Sequence, residues 1–135
     1  MNLYTKGALS VLPTNFNDLP TPYSVAEVGL VENEDNGVVD QAGTQEYMMH
    51  QYKVKLPGDA TSCGIEFAGE SSLATTLSPA YLQLYNFLDQ RWDTIDVNNT
   101  YPEDVTFELK KEKVDFTKYR SAAADIYCRV WQLAI

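Results

Sequence analysis

The chain has 135 residues, 44% of them hydrophobic, and a net charge of −9. One domain of this size can bury a core without a metal or disulfide framework. The acidic balance argues against nucleic acid as a partner, because phosphate binding needs a cationic footprint, and no apolar run reaches the length of a membrane-spanning helix. "MNLYTKGALSVLP" lacks the apolar stretch of a secretory signal. The expectation is a soluble protein, made in the cytoplasm, with no membrane association.

In chain order, residues 1–24 are punctuated by Pro13, Pro20 and Pro22. Each proline removes a donor and restricts the residue before it. The segment therefore reads as an extended N-terminal arm, with residues 25–135 as the single folded domain. "YSVAEVGLVENEDNGVVDQAG" predicts a short strand over 25–31 and a hairpin turn at Asn36-Gly37. "ENEDNG", residues 32–37, resembles the front of a calcium loop. The EF-hand spacing would need Asp at position 32 and Glu at position 43, where the chain has Glu32 and Gly43. A solvated acidic hairpin tip is the better reading, with calcium sites assembled from distant loops left open. In "EYMMHQYKVKLPG", Met48, His50, Tyr52, Val54 and Leu56 share one strand face. "CGIEFAGE" is a third strand, with Cys63, Ile65 and Phe67 on one side.

"YLQLYNFLDQRWDTIDV", residues 81–97, predicts a strand, a turn at 89–91 and a second strand opening on Trp92. Leu82 and Leu84 point one way, and Tyr81, Gln83, Tyr85 and Phe87 the other. Val105, Phe107 and Leu109 mark a half-exposed strand. "VDFTKYRS" is too short and too charged for a packed helix. In "ADIYCRVWQLAI", Ile126, Cys128 and Val130 face inward while Tyr127, Arg129 and Trp131 face outward. Both cysteines thus sit on apolar strand faces and read as reduced, buried thiols. An immunoglobulin pattern fails, because Ile126 stands where a tyrosine corner needs tyrosine and Trp92 lies too far beyond Cys63. No apolar pattern of period 3.6 persists over a dozen residues. Six to eight short strands therefore predict an all-β fold: an antiparallel β-sandwich, jelly-roll-like. A last strand can be central in such a fold, and its removal would then be fatal.

Catalytic chemistry is poorly supplied. His50 is the sole histidine and falls mid-strand on an apolar face. No G-x-S-x-G elbow accompanies it, and one histidine with two separated cysteines makes no zinc set. Glycine-rich phosphate loops are missing. Neither a catalytic residue, a metal site nor a cofactor is expected. Asp93 and Asp96 beside Trp92 could be imagined as a glycosidase pair, but adjacent positions of one short strand would not face each other across a bond.

Two surface features have alternative readings. The aromatics Tyr85, Trp92 and Trp131 could stack on glycans, or cover the second side of the sheet or a subunit interface. The basic residues cluster: Lys110, Lys111, Lys113, Lys118 and Arg120 fall together, while residues 1–109 hold sixteen acids against four bases. That cluster is either a solvated face or a docking patch for an acidic neighbour.

"YLQLYN" with "WDTID", then "DVTFEL", then "IYCRVWQ" resembles small β-sandwich proteins of tailed bacteriophages, which are similar in turn to the jelly-roll sandwiches of carbohydrate-binding modules. The resemblance covers roughly residues 45–135 and carries no catalytic residue over. It implies a non-enzymatic virion protein, such as a capsid decoration protein or another head or tail accessory. The implied partners are further copies of the chain, with a trimer as one closure, and the major capsid or another virion protein, with glycans as the alternative ligand. Contact residues are expected in the arm (Pro13, Phe16, Pro20, Tyr23) and in the basic cluster (Lys110, Lys111, Lys113, Lys118, Arg120).

Overall fold

Period-two alternation becomes strand nearly wherever the sequence shows it. The computed structural model describes residues 3–32, 47–56 and 61–134, except the side chains of residues 29–32 and 63. β1 (Leu3–Leu9) and β2 (Thr21–Pro22) precede helix α1 (Val25–Glu32). Next come β3 (Tyr47–Lys55), β4 (Ser62–Gly69), β5 (Ala80–Asn86), β6 (Arg91–Asn98), β7 (Phe107–Asp115) and β8 (Asp125–Leu133). Six of them form one antiparallel sheet in the order β2-β1-β3-β8-β5-β6, and β4 and β7 form a two-stranded ribbon. The fold is all-β with two antiparallel sheets; this strand order does not establish a jelly roll. β8 lies centrally, pairing with β3 from Tyr47↔Leu133 to Lys55↔Asp125 and with β5 from Ala80↔Gln132 to Leu84↔Cys128.

The ribbon packs on the inner face of the large sheet. Leu82 and Leu84 of β5 and Ile126, Cys128 and Val130 of β8 meet Phe107, Leu109 and Val114 of β7, with Phe116 and Tyr119 from the turn after it. Cys128 is a free thiol, and burial pushes its pKa up to about 12, so it packs as a small neutral hydrophobe. The side chain of Cys63 lies outside the described residues. The sheets are also joined edge to edge. Asp96 Oδ2 accepts a hydrogen bond from Lys110 N at 2.8 Å, and Asn98 Nδ2 donates to Glu108 O at 3.4 Å. Side chains of β6 thus stand in for a ladder partner along β7.

Two expectations need correction. Residues 25–31 are not a strand but lie in α1. Ser24 caps that helix reciprocally with Glu27: Glu27 N donates to Ser24 Oγ at 3.1 Å, and Ser24 N donates to Glu27 Oε1 at 3.0 Å. Glu27 also pairs with Lys6 on β1 at 2.5 Å. Nor are residues 3–24 an arm apart from the large sheet. β1 pairs along its whole length with β3, from Leu3↔Lys53 to Leu9↔Tyr47. The chain beyond β1 runs across the sheet and returns as β2. It returns so closely that a Cβ on Gly7 would stand 3.0 Å from Pro20 Cδ. The expected turn at Asn36-Gly37 and the acidic tip from position 33 on lie outside the described residues.

Candidate functional site

The strand registers build a layered outer face on the large sheet. Gln51 of β3, Arg129 of β8 and Gln83 of β5 stand side by side. Trp131 neighbours Tyr81 and Met49 in the next layer along. Arg129 Nε donates to Gln83 Oε1 at 2.8 Å, and the same oxygen accepts from Trp131 Nε1 at 3.0 Å. Gln83 Nε2 donates in turn to Thr94 Oγ1 at 3.1 Å. The Arg129 Cζ lies 4.2 Å from the centroid of the Trp92 ring, within cation–π reach. Arg129 is 2% exposed and forms no ion pair among the described residues. Burial pushes its pKa down to about 9, which leaves it a cation at neutral pH. A buried charge is tolerated only when its donors are met, and here neutral acceptors and a ring face meet them.

Residues 13–17 run over this face, and the sheet reads their backbone. Arg129 NH1 donates to Pro13 O at 2.7 Å, and Trp92 Nε1 to Asn15 O at 2.9 Å. Gln51 Nε2 donates to Phe16 O at 3.2 Å and to Asn17 O at 3.0 Å. Phe16 drops its ring among Tyr85, Phe87 and Tyr127, at centroid distances of 4.8, 5.2 and 4.9 Å. The segment is locked at its return by Leu19 N donating to Thr5 Oγ1 at 3.1 Å. Among the described residues one buried side-chain polar atom is left over: Gln51 Oε1 has no hydrogen-bond partner, although Gln51 is 2% exposed. The amide cannot simply be reversed, because its nitrogen serves two carbonyls.

A second polar cluster lies on the opposite face of β3. Tyr23 OH stands 2.6 Å from His50 Nδ1 and 3.1 Å from Tyr52 OH, with Tyr4 packed edge-on against both tyrosines. Burial pushes the Tyr23 hydroxyl up to about 12 and raises Tyr52 as well. His50 is tied into this group, in keeping with a structural histidine.

The residues named from the sequence fall into three groups. Phe16 and Tyr23, expected to meet a partner, instead pack within the chain, and Pro13 offers its carbonyl to Arg129; Pro20 is exposed. Of the stacking candidates, Tyr85 is 6% exposed and holds Phe16 and Trp92, so it presents no platform. The face of Trp92 is taken by Arg129. Trp131 stacks on Tyr81 at 4.3 Å with Tyr47 against its edge, and these three with Leu77, Pro79 and Leu133 line a hollow of about 200 Å³.

The basic cluster falls on one strand and the turn after it, interleaved with the exposed Glu108, Glu112 and Asp115. Lys110, Lys111 and Lys113 are exposed along β7, and Lys118 and Arg120 follow in the next turn. Lys110 lies 3.7 Å from Glu108, whereas Lys111 and Lys113 form no ion pair among the described residues. Asp93 and Asp96 are committed elsewhere. Asp93 Oδ2 accepts from Asn86 Nδ2 at 3.0 Å and Tyr119 OH at 2.9 Å, while Arg91 Nε donates to Oδ1 at 3.1 Å. Burial raises the Asp93 pKa, but those donors outweigh it and hold the carboxyl below its usual range. Among the described residues no three metal-ligating side chains come together, and no helix is long and apolar enough to cross a membrane.

Sequence reasoning missed Gln51 and the covering of the outer face. The sign was there: Gln51, Gln83 and Arg129 stand between apolar or aromatic neighbours (Met49, Tyr81 and Tyr85, Tyr127 and Trp131) on the same strand faces. Against known proteins, the chain matches no family model, no curated protein and no solved structure.

Proposed function

We propose that this protein is a non-catalytic structural component of a tailed-phage particle, a small all-β subunit that self-associates and fastens to the particle surface. The observation that carries the reading is the exposed lysine ridge of β7, where Lys110, Lys111 and Lys113 alternate with Glu108, Glu112 and Asp115 on an otherwise acidic molecule. Lys110, Lys111 and Lys113 stand on a two-stranded ribbon backed by the core, so the ridge is presented rigidly. A neighbour of opposite charge gains steering and register from such a patch. The rest of the chain is acidic, so a further copy is one such neighbour, and symmetric closure is the usual outcome of homomeric contacts. The phage setting is suggested by the resemblance of the strand signatures in residues 81–97 and 104–132 to small phage β-sandwich proteins.

The test is copurification with assembled particles, together with the mass of the protein in solution at low and high salt. Self-association that weakens with salt is expected. Reversing Lys110, Lys111 and Lys113 to Glu should leave the circular dichroism unchanged and abolish both assembly and attachment. A strict monomer that ignores particles overturns the proposal.

A second reading is favoured by the hollow beside Trp131. Tyr47, Tyr81 and Trp131 offer ring surface at a mouth large enough for one sugar residue, the kind of aromatic contact that glycan recognition uses. Binding on a glycan array that Tyr47→Ala removes would support it, and an array without signal would dismiss it.

A further inference from the structure

Residues 13–17 lie on the sheet as a ligand lies in a peptide groove. Arg129, Trp92 and Gln51 donate to four of their main-chain carbonyls, and one aromatic ring is their anchor. Main-chain recognition plus a side-chain pocket is how protein surfaces read extended peptides. Nothing in these contacts depends on the segment's being covalently continuous with the groove; the Arg129–Pro13 bond spans 116 positions of sequence.

The resident segment does not complete the groove. Gln51 Oε1 is buried at its floor with no donor to meet it. Beside Phe16, a hollow of about 300 Å³ stays open between Asn17, Asp18, Lys53 and Tyr127. The segment is held at both ends, by the β1–β3 pairing that closes at Leu9↔Tyr47 before it and by Leu19 on Thr5 and the β1–β2 pairing after it, and in this position it meets neither feature fully. An untethered copy of the same segment is under no such restraint.

We infer that the outer face of the six-stranded sheet is a peptide-binding groove, and that its occupant in trans is the residue 10–20 segment of a second copy of this chain. The resident segment competes with it, so the groove is masked in an isolated molecule and opens to exchange when copies are held close, where effective concentration favours the intermolecular contact. The inference rests on the self-association proposed above for the source of the peptide only. Glutamates at 110, 111 and 113 leave the groove intact, so the two proposals fail separately.

The probe is a fluorescent synthetic peptide of residues 10–20, SVLPTNFNDLP, titrated against the full chain and followed by anisotropy. Phe16→Ala removes the resident anchor and should raise the affinity for the probe at least about tenfold over wild type. Adding Gln51→Leu to that variant should abolish binding. Pro13→Gly is the second variant, for the case that Phe16→Ala does not fold. It keeps the carbonyl that Arg129 reads and loosens the resident segment by adding chain freedom, so it too should bind more tightly than wild type. Folded Phe16→Ala or Pro13→Gly protein that binds the probe no better than wild type overturns the inference.

Discussion

Arg129 and Trp92 face each other across β5, cation over ring at 4.2 Å, and together they roof the outer side of the sheet. The ring does two jobs, since its Nε1 also holds Asn15 O. Trp92→Ala is expected to lower stability by roughly 2–3 kcal/mol, combining lost ring burial, a cation–π contact and a hydrogen bond. Trp92→Phe keeps a face for the guanidinium and should lose less than half of that. Urea midpoints of the two variants check this ordering; equal losses would mean that the ring face contributes nothing.

β8 pairs with β3 on one side and β5 on the other, and it carries Ile126, Cys128 and Val130 into the core. Deleting residues 125–135 divides the large sheet in two and takes Ile126, Cys128 and Val130 out of its inner wall. The shortened chain should show no cooperative thermal transition. A sharp transition in that chain would contradict the central placement of β8.

Ala124 has a φ of 64°, in the left-handed region that a Cβ disfavours. Its position is fixed from both directions, because its N–H donates to Ser121 O and its carbonyl accepts from Leu56 N. Ala124→Gly should therefore stabilise the protein by about 0.5–1 kcal/mol. A rise in the thermal midpoint is the expected readout, and a fall would show that the strain is already relieved.

Cys128 predicts an alkaline dependence. An unfolded thiol ionises near 9.0, whereas burial holds the folded thiol protonated up to about 12. Below the lower value both states keep the proton and the contribution to stability is complete. Between the two, only the folded state keeps it, so stability falls as pH rises, by up to about 1.4 kcal/mol per pH unit. Tyr23 and Tyr119, raised from 10.0 to about 12, act in the same direction, while Arg129, depressed to about 9, acts in the opposite one. Comparing wild type with Cys128→Ala cancels these other groups. The advantage of wild type should shrink steadily above about pH 9, and a gap that ignores pH would show that the thiol titrates alike in both states.

Much of the architecture was legible because alternation is a local signal. The inward and outward sets of residues 81–87 and 126–131 stand as their spacing requires, and the basic residues of β7 stay outside. α1 was not read, since "VAEVGLV" is apolar on nearly every side and has no helical stripe; the Ser24–Glu27 capping box was the informative pair. The outer face was misjudged for a different reason. Alternation predicts that one side of β3 is apolar, yet Met49 and Gln51 on its other side are buried too. The cover over Gln51 comes from Phe16 and Asn17, and contacts of such long range leave no periodic trace. The same distance hid Pro13 and Phe16 as internal groups, because prolines and an isolated aromatic look the same in an arm and in a strap.

The place of β8 also bears on how the molecule reaches its native state. Registering Tyr47 against Leu133 and Ala80 against Gln132 requires ends far apart in the chain to find each other before either hairpin gains support. Such closure is slow, because chain entropy is lost before the pairing repays it. Until it happens, β3 and β5 each present an unsatisfied edge that another chain can take. Recovery from denaturant should accordingly be sluggish and should worsen as the protein is concentrated.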